Sequence, residues 1–276
     1  MKIKWIVGGL LWASSYLQAA AQEYKLWYDE PAQVWTEALP LGNGRLGAMV
    51  FGNPGVEHIQ LNEETIWAGR PNNNANPNAL EYIPKVRQLV FEGKYLEAQT
   101  LATEKIMAKT NSGMPYQSFG DLHISFPGHT RYSDYYRELS LDSARTIVRY
   151  KVDGVTYQRE TLTSFADQVV MVRLTASQPG KITCNANLTT PHQDVMVSTE
   201  GEEVTLSGVS SWHEGLKGKV EFQGRMTARS QGGTQACRDG VLSIEGADEA
   251  VIYISIATNF TNYKDITCLL YTSDAA

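Results

Sequence analysis

Residues 136–163, YRELSLDSARTIVRYKVDGVTYQRETLT, indicate the fold class of this chain most clearly. Apolar and polar side chains alternate along ARTIVRYKV and again along GVTYQRETLT, so every second residue would face the same side of a strand. Between the two runs lies Asp153-Gly154, a pair that favours a tight hairpin turn. The stretch therefore predicts neighbouring antiparallel strands, each with one buried face.

Runs of the same kind continue along the chain from Phe119 onward, at roughly ten-residue intervals. They are DLHISFPG, QVVMVRLTA, KITCNANLT, EVTLSG, KVEFQGRMTA, GVLSIEG and EAVIYISIAT. Residues 23–61 also consist of short extended runs, which prolines and glycines interrupt. Because no crossover helices separate these strands, they predict two packed antiparallel sheets, a large β-sandwich.

One segment, residues 78–109, has a different periodicity. Its apolar residues recur at helical spacing along LEYIPKVRQLVFEGKYLEAQTLATEKIMAK, and Glu92-Gly93-Lys94 separates two helices. Since proline fits best in a first turn, Pro84 predicts that the first helix begins near Ile83. The predicted fold class is therefore mainly β, a large antiparallel β-sandwich with an inserted helical hairpin.

The first 21 residues have the composition of a secretory signal peptide. Lys2 and Lys4 precede the apolar run IVGGLLWASSYL, which is short for a bilayer span, and Ala19-Ala20-Ala21 supplies small residues for cleavage before Gln22. A membrane anchor is the alternative. No later run approaches spanning length, so we expect an exported protein, periplasmic or extracellular, that does not contact the membrane after cleavage.

The last ten residues, 267–276, do not continue the strand pattern. TCLLYTSDAA resembles the translated adapter tail found at the ends of gene fragments, and we predict that the natural sequence departs from the printed one after Ile266. An ordinary C-terminus is the alternative. The sequence thus divides into a signal peptide (1–21), one β domain (22–266) and a non-native tail (267–276).

Charge and composition argue against several classes of partner. The net charge is −6 and the isoelectric point is near 5.4, without the basic cluster that nucleic-acid binding requires. The three cysteines match no zinc pattern and the five histidines are scattered, so neither a metal site nor a cofactor is predicted. A disulfide between Cys184 and Cys237 remains open.

Residues 42–47, GNGRLG, satisfy the dinucleotide pattern G-x-G-x-x-G, but their context excludes that function. The pattern requires a strand before it and a helix after it. Here AMVFGNPGVEHIQL follows, which predicts a strand, a turn at Asn53-Pro54-Gly55 and a second strand. Asn43-Gly44 is therefore interpreted as a tight turn between strands.

Residues 60–74, QLNEETIWAGRPNNN, combine side chains that suit sugar recognition. An aromatic face such as Trp67 covers C–H surface, while amides and carboxylates pair with hydroxyls. The alternative is that Trp67 belongs to the core and the acids are solvated. Glu63 and Glu64 are adjacent, whereas glycosidic hydrolysis needs two carboxyls about 5–9.5 Å apart across the bond. No nucleophile elbow occurs either, so no catalytic residue is predicted.

A longer stretch of the sequence resembles a known family. Residues 34–69, VWTEALPLGNGRLGAMVFGNPGVEHIQLNEETIWAG, resemble the N-terminal domain of glycoside hydrolase family 95, the exported α-L-fucosidases. The YLEAQ helix, PYQSFGDLHISF (115–126) and residues 135–174 are also similar to that family. The resemblance covers about residues 24–266, which is the predicted β domain.

The resemblance implies a β-sandwich that precedes a helical linker and an (α/α)₆ barrel. In such enzymes the barrel holds the acid and base of an inverting, exo-acting hydrolysis that releases terminal L-fucose. The expected partners are a fucosylated oligosaccharide or glycan and the barrel itself, which is missing from this chain. No catalytic residue can therefore be transferred to it. A stand-alone carbohydrate-binding module without catalysis is the alternative function.

If this domain helps to shape the fucosidase pocket, its two polar loops supply the candidate site. We expect Trp67 to stack on the sugar or on a barrel helix and Arg45 to pair with a carboxylate. Asn43 and Asn62 would exchange hydrogen bonds with hydroxyls, and Glu63 completes the substrate-binding set. The alternative is that these residues only stabilise the sandwich, because asparagine and glycine at turns usually serve the backbone.

Overall fold

The structure is a computed structural model that describes residues 24–108 and 113–268. The predicted signal peptide and residues 269–276 of the predicted tail lie outside the described residues. The division of the chain at Gln22 and Ile266 therefore stays a prediction.

The described residues form two antiparallel sheets that face each other, which confirms the predicted β-sandwich. In chain order the strands are β1 Lys25–Tyr28, β2 Leu39–Gly42, β3 Leu46–Val50, β4 Val56–Glu63, β5 Gly120–Ser125, β6 Ser133–Ser140, β7 Arg145–Val152, β8 Val155–Thr163, β9 Val170–Ala176, β10 Ile182–Thr189, β11 Val195–Glu200, β12 Glu203–Val209, β13 Glu221–Gln231, β14 Thr234–Arg238, β15 Val241–Ala247 and β16 Glu249–Thr258. Within the described ranges the first sheet has nine strands, in the order β1-β6-β7-β8-β9-β16-β13-β12-β11. The second has seven, in the order β14-β15-β10-β5-β4-β3-β2.

The core lies between the sheets and consists of alternate residues of each strand. Val148 and Tyr150 of β7 and Val170, Val172 and Leu174 of β9 are each at most 1% exposed. Their neighbours in sequence point outward, because successive side chains of a strand alternate between faces. The periodicity of the sequence therefore predicted the buried face correctly.

Two turns have the backbone that their sequences predict. Asp153 and Gly154 both have positive φ, 48° and 80°, and they connect β7 to β8 with Val152 paired to Val155. Gly44, with φ 95°, lies in the turn between β2 and β3. Glycine is favoured there because it has no Cβ to oppose positive φ. GNGRLG thus forms a hairpin turn between strands.

The helical hairpin is present, but its start differs from the prediction. Helix α1 spans Ala79–Phe91 and α2 spans Tyr95–Lys105, so α1 begins four residues before Ile83 and contains Pro84. The loop before it explains the difference, because the carbonyl of Asn76 accepts the Ala79 N–H at 3.1 Å and its side chain accepts the Asn78 N–H. These bonds let the helix begin before Pro84. The proline removes only one backbone hydrogen bond, near the N-terminal end of α1.

Two short strands were missed by the sequence reading. All residues of β11 are exposed or half-buried, so the strand has no buried stripe to reveal it, and β14 is only five residues long. The three cysteines are free, with Cys184 buried and Cys237 half-buried, so the disulfide that the sequence left open does not form here. Neither α1 nor α2 is long and apolar enough to cross a membrane.

Candidate functional site

The two polar loops of the sequence lie together at one end of the sandwich. Strands β3 and β4 are neighbours, with Gly47 opposite Asn62 and Leu46 opposite Glu63. Beyond the strands, the Glu64 N–H donates to the Arg45 carbonyl at 3.0 Å. The turn between β2 and β3 and the loop after β4 therefore form one surface.

Arg45 links the two sheets at this end. Its Nε donates to the side-chain oxygen of Gln168 at 2.8 Å, and its Nη1 donates to the Ile256 carbonyl of β16 at 2.7 Å. Nη1 also lies 3.5 Å from a carboxylate oxygen of Glu63. Arg45 therefore does pair with a carboxylate, but the carboxylate belongs to its own domain.

Glu63 is almost fully buried, at 2% exposure. One carboxylate oxygen accepts the Thr65 N–H at 2.7 Å and the Thr65 hydroxyl at 2.6 Å. Burial raises the pKa of Glu63, while the Thr65 hydrogen bonds and the Arg45 charge oppose that shift. Glu64, the next residue, is exposed, so one of the two adjacent acids is buried and the other lies in solvent.

Asn43 stabilises the hairpin turn. Its side-chain oxygen accepts the N–H groups of Arg45 and Leu46, at 3.0 and 2.7 Å, and its amide nitrogen donates to the Ser164 carbonyl at 2.7 Å. Both ends of the amide are thus used within the domain. Together with Arg45 and Glu63, Asn43 forms what we call the inner group, whose polar atoms connect one sheet to the other.

Trp67, Asn62 and Tyr116 form a second set, which we call the outer group. Trp67 and Tyr116 are each 44% exposed, with ring centroids 5.5 Å apart and planes inclined by 68°. The Tyr116 hydroxyl donates to Asn62 Oδ1 at 3.3 Å, and Trp67 Nε1 donates to the Glu64 carbonyl at 2.9 Å. Trp67 therefore does not belong to the core, which excludes the alternative that it is a core residue.

The outer group has the composition of a shallow sugar-contact surface. Two half-exposed aromatic rings can cover C–H surface, and the Asn62 amide nitrogen has no partner among the residues that the structure describes. Burial, followed by the charges of Glu63 and Glu64, raises the pKa of Tyr116, so its hydroxyl stays protonated. These groups can bind and orient a ligand through donors and ring faces.

Tyr116 is the residue that sequence reasoning missed. It lies in the loop before β5 and pairs with Trp67 through an isolated β-bridge. A second loop contact, Ala68 N–H to the Pro115 carbonyl at 3.0 Å, holds the two segments together. Their sequence separation hides this contact from local pattern reading. The only signal was the position of Tyr116 inside PYQSFGDLHISF, a segment that carried the family resemblance.

Comparison with known proteins identifies the family of this chain. The sequence model of the family described as "Glycosyl hydrolase family 65, N-terminal domain" matches residues 26–263. Among curated proteins, the chain is 32% identical to "Alpha-L-fucosidase 2" of Arabidopsis thaliana over 269 residues, which cover 88% of this chain and 31% of that protein.

Two fungal proteins are similar over much of the same region. "Probable alpha-fucosidase A" of Aspergillus niger is 28% identical, with 85% of this chain and 30% of that protein covered. The protein of the same name from Aspergillus oryzae is 28% identical, with 58% and 23% covered. The chain thus spans about a third or less of the length of these relatives. The chain belongs to the family of glycosyl hydrolase family 65 N-terminal domains, which confirms its resemblance to the N-terminal domain of the family 95 α-L-fucosidases.

Proposed function

We propose that this chain is the N-terminal β-sandwich portion of an exported, exo-acting α-L-fucosidase that hydrolyses terminal L-fucose from glycans with inversion. Three similar proteins are named fucosidases, and the chain spans about a third or less of their length. The remaining length would supply the catalytic (α/α)₆ barrel. Export would follow from the predicted signal peptide, residues 1–21.

The observation that carries the proposal is the outer group at one end of the sandwich. Trp67 and Tyr116 are half-exposed aromatic residues held by bonds to backbone and to Asn62, so little order has to be gained when a ligand binds. Loops at one end of a sandwich can reach a neighbouring domain. We infer that the outer group forms one wall of a pocket whose acid and base come from the barrel.

The inner group has a different part in this proposal. Arg45 and Glu63 neutralise each other, and Asn43 fixes the turn that carries Arg45. These residues would hold the outer group in place from beneath. Of the five residues predicted from sequence, Asn62 and Trp67 are thus proposed to touch the glycan, and Asn43, Arg45 and Glu63 to position them.

The proposal is tested with the chain and its parent enzyme side by side. The genomic region downstream of the Ile266 codon should continue in frame far enough to encode a barrel. The parent should release fucose from a 2-fucosylated oligosaccharide, and ¹H NMR should detect β-L-fucose as the first product. The chain alone should release none, because the proposal places the acid and the base of the hydrolysis in the barrel.

Two outcomes would contradict the proposal. Release of fucose by the chain alone would place catalysis in the sandwich. A natural stop codon shortly after Ile266, together with saturable binding of the oligosaccharide by the chain, would instead favour a stand-alone carbohydrate-binding module.

A further inference from the structure

Two histidines and an aspartate that are scattered in the sequence meet on the outer face of the seven-stranded sheet. His58 lies on β4, and Asp121 and His123 lie two positions apart on β5. The strands are paired with His58 directly opposite His123. Residues at i and i+2 of a strand share a face, so the pairing of β4 with β5 places all three side chains on the same surface.

The three side chains are close enough to share one ion. One donor atom from each lies within 4.8 Å of the other two, and the side chains are half-buried. His58 Nε2 is 2.6 Å from Asp121 Oδ1. The imidazoles of His58 and His123 stack with centroids 5.0 Å apart and planes inclined by 18°. A metal ion could replace this hydrogen bond by binding both the nitrogen and the carboxylate.

Neighbouring side chains support the two rings from outside the cluster. Phe51 stacks on His58 with centroids 4.3 Å apart. His123 Nε2 lies 3.2 Å from the Thr189 hydroxyl of β10, which orients this ring through one nitrogen while a metal needs only the other. Metal-binding histidines usually have such a partner on their second nitrogen.

We propose that His58, Asp121 and His123 form a binding site for one Zn²⁺ ion, with water in the fourth position. Two imidazoles and one carboxylate are a ligand set that suits Zn²⁺ and other borderline transition metals, whereas Ca²⁺ and Mg²⁺ prefer oxygen ligands alone. The stacked rings rotate about their side-chain bonds to direct one nitrogen each toward the ion. Bound Zn²⁺ then connects β4 to β5 at the middle of the seven-stranded sheet.

The site is independent of the proposed fucosidase function. It lies on the outer face of the sheet, while the outer group extends from the end of β4 and from the loop before β5. Because Zn²⁺ binds the folded arrangement of two strands, it stabilises the folded state by mass action. The expected effect is therefore on stability and metal content, and fucose release plays no part in its test.

The test uses the complete chain without a histidine tag, freed of metal by chelation. Calorimetric titration with ZnCl₂ should saturate at one equivalent and raise the melting temperature, and CaCl₂ at the same concentration should do neither. Asp121→Asn and His123→Gln should each weaken Zn²⁺ binding by at least ~10-fold. Mutating a residue that only supports a ligand already has an effect of about that size, so loss of a ligand itself should have no smaller one. His213→Gln, in a loop outside the cluster, is the matched control and should bind as the parent chain does.

If a variant fails to fold, a spectroscopic measurement on the unmodified chain tests the proposed metal site instead. With one equivalent of Cu²⁺, electron paramagnetic resonance should show hyperfine coupling to two imidazole nitrogens. Absence of that coupling would overturn the proposal. So would Zn²⁺ binding that exceeds one equivalent and is equally strong in the Asp121 and His123 variants, since that is adventitious surface binding.

Discussion

Strand β4 carries a buried glutamate near each end, and the two ends differ in how those charges are satisfied. Glu57 is 1% exposed and Glu63 is 2% exposed. They lie on the same inward face as Ile59 and Leu61, because six positions along a strand return to the same side. Each is paired with an arginine, Arg159 at one end and Arg45 at the other.

At the Glu57 end the ion pair is closed, meaning that both of its side chains are buried from solvent. Arg159 Nη1 donates to Glu57 at 2.9 Å, and both side chains are at most 2% exposed. The same nitrogen donates to the Asn53 carbonyl at 2.7 Å, and Nη2 donates to the Tyr150 hydroxyl at 2.7 Å. The Gly52 N–H donates to the other Glu57 oxygen at 2.6 Å. Apart from Arg159 Nε, which is buried without a partner among the described residues, the polar atoms of these two side chains are bonded within the protein.

At the Glu63 end the ion pair is partly open, meaning that the arginine is still accessible to solvent. The Arg45 side chain is 27% exposed, and its distance to Glu63 is 3.5 Å. Beside it lie the exposed aromatic rings of Trp67 and Tyr116. The two buried glutamates of this strand are thus paired differently: the arginine that pairs with Glu57 is buried, whereas the arginine that pairs with Glu63 stays partly exposed to solvent. The outer group, which we propose as a glycan contact, lies at this second end.

The largest expected effect on the unfolding free energy comes from removing the arginine of the closed ion pair. Arg159→Met leaves the Glu57 carboxylate buried without its counter-charge and should cost about 3–5 kcal/mol of unfolding free energy. Urea denaturation at pH 7 measures the loss. Arg159→Met combined with Glu57→Gln should recover part of it, because the uncompensated charge is then gone.

The matched control is Arg173→Met on the outer surface. Arg173 also makes a short ion pair, 2.7 Å to Glu249, but its side chain is 41% exposed. Solvent screens such pairs, so we expect a loss within about 1 kcal/mol. Equal losses for the Arg159 and Arg173 variants would contradict the distinction between a closed pair and an open one.

A smaller effect concerns pH at the same closed end. Burial, and then the charge of Arg159, lower the pKa of His129 to about 4, while Asp153 opposes the shift. His129 Nδ1 lies 2.9 Å from the Tyr150 hydroxyl, which can donate to a neutral ring. The unfolded chain binds this proton below about pH 6.5 and the folded chain only below about 4. The His129 contribution to stability is therefore complete above pH 6.5 and is lost as the pH falls to 4.

The variant His129→Asn keeps a polar atom near Nδ1 and removes this proton site. Its unfolding free energy should depend less on pH, with a difference from the parent chain of roughly 2–3 kcal/mol between pH 7 and pH 4. Urea denaturation at half-unit pH steps measures both chains under identical conditions, so that the carboxylates contribute equally. Parallel curves for the two chains would show that folding does not lower the pKa of His129.

The sequence predicted the parts of this structure that depend on local spacing. Period-two alternation identified the buried faces of β7 and β9, and Asp153-Gly154 identified the hairpin turn between β7 and β8. Alternation along VEHIQLNE also places Glu57 and Glu63 on the side of Ile59, so their burial was readable in principle. The start of α1 was not, because bonds from Asn76 outweighed the preference of Pro84 for a first turn.

Partners distant in the chain were beyond sequence reasoning. Arg159 lies 102 residues from Glu57, and which strands become neighbours is set by the order of the whole sheet. The same limit hid Tyr116 from Trp67 and His123 from His58. Of the candidate site, the segment and its residue types were predicted, whereas the separation into an inner and an outer group depends on which side chains face solvent.

The smallest effect on stability, and the one that bears on function, is expected at the open end. Trp67→Ala and Asn62→Ala in the parent enzyme should lower kcat/KM on the order of tenfold, since a lost sugar contact of about 1.4 kcal/mol has that size. Because Trp67 is half-exposed, its removal should cost only about 1 kcal/mol of stability, against roughly 3–5 for a buried tryptophan. Trp27→Ala is the matched control, as Trp27 is also exposed and stacks on Tyr136, but on β1 of the other sheet. A large fall in melting temperature with unchanged turnover of the folded Trp67 variant would mean that this ring stabilises the loop and does not touch the glycan.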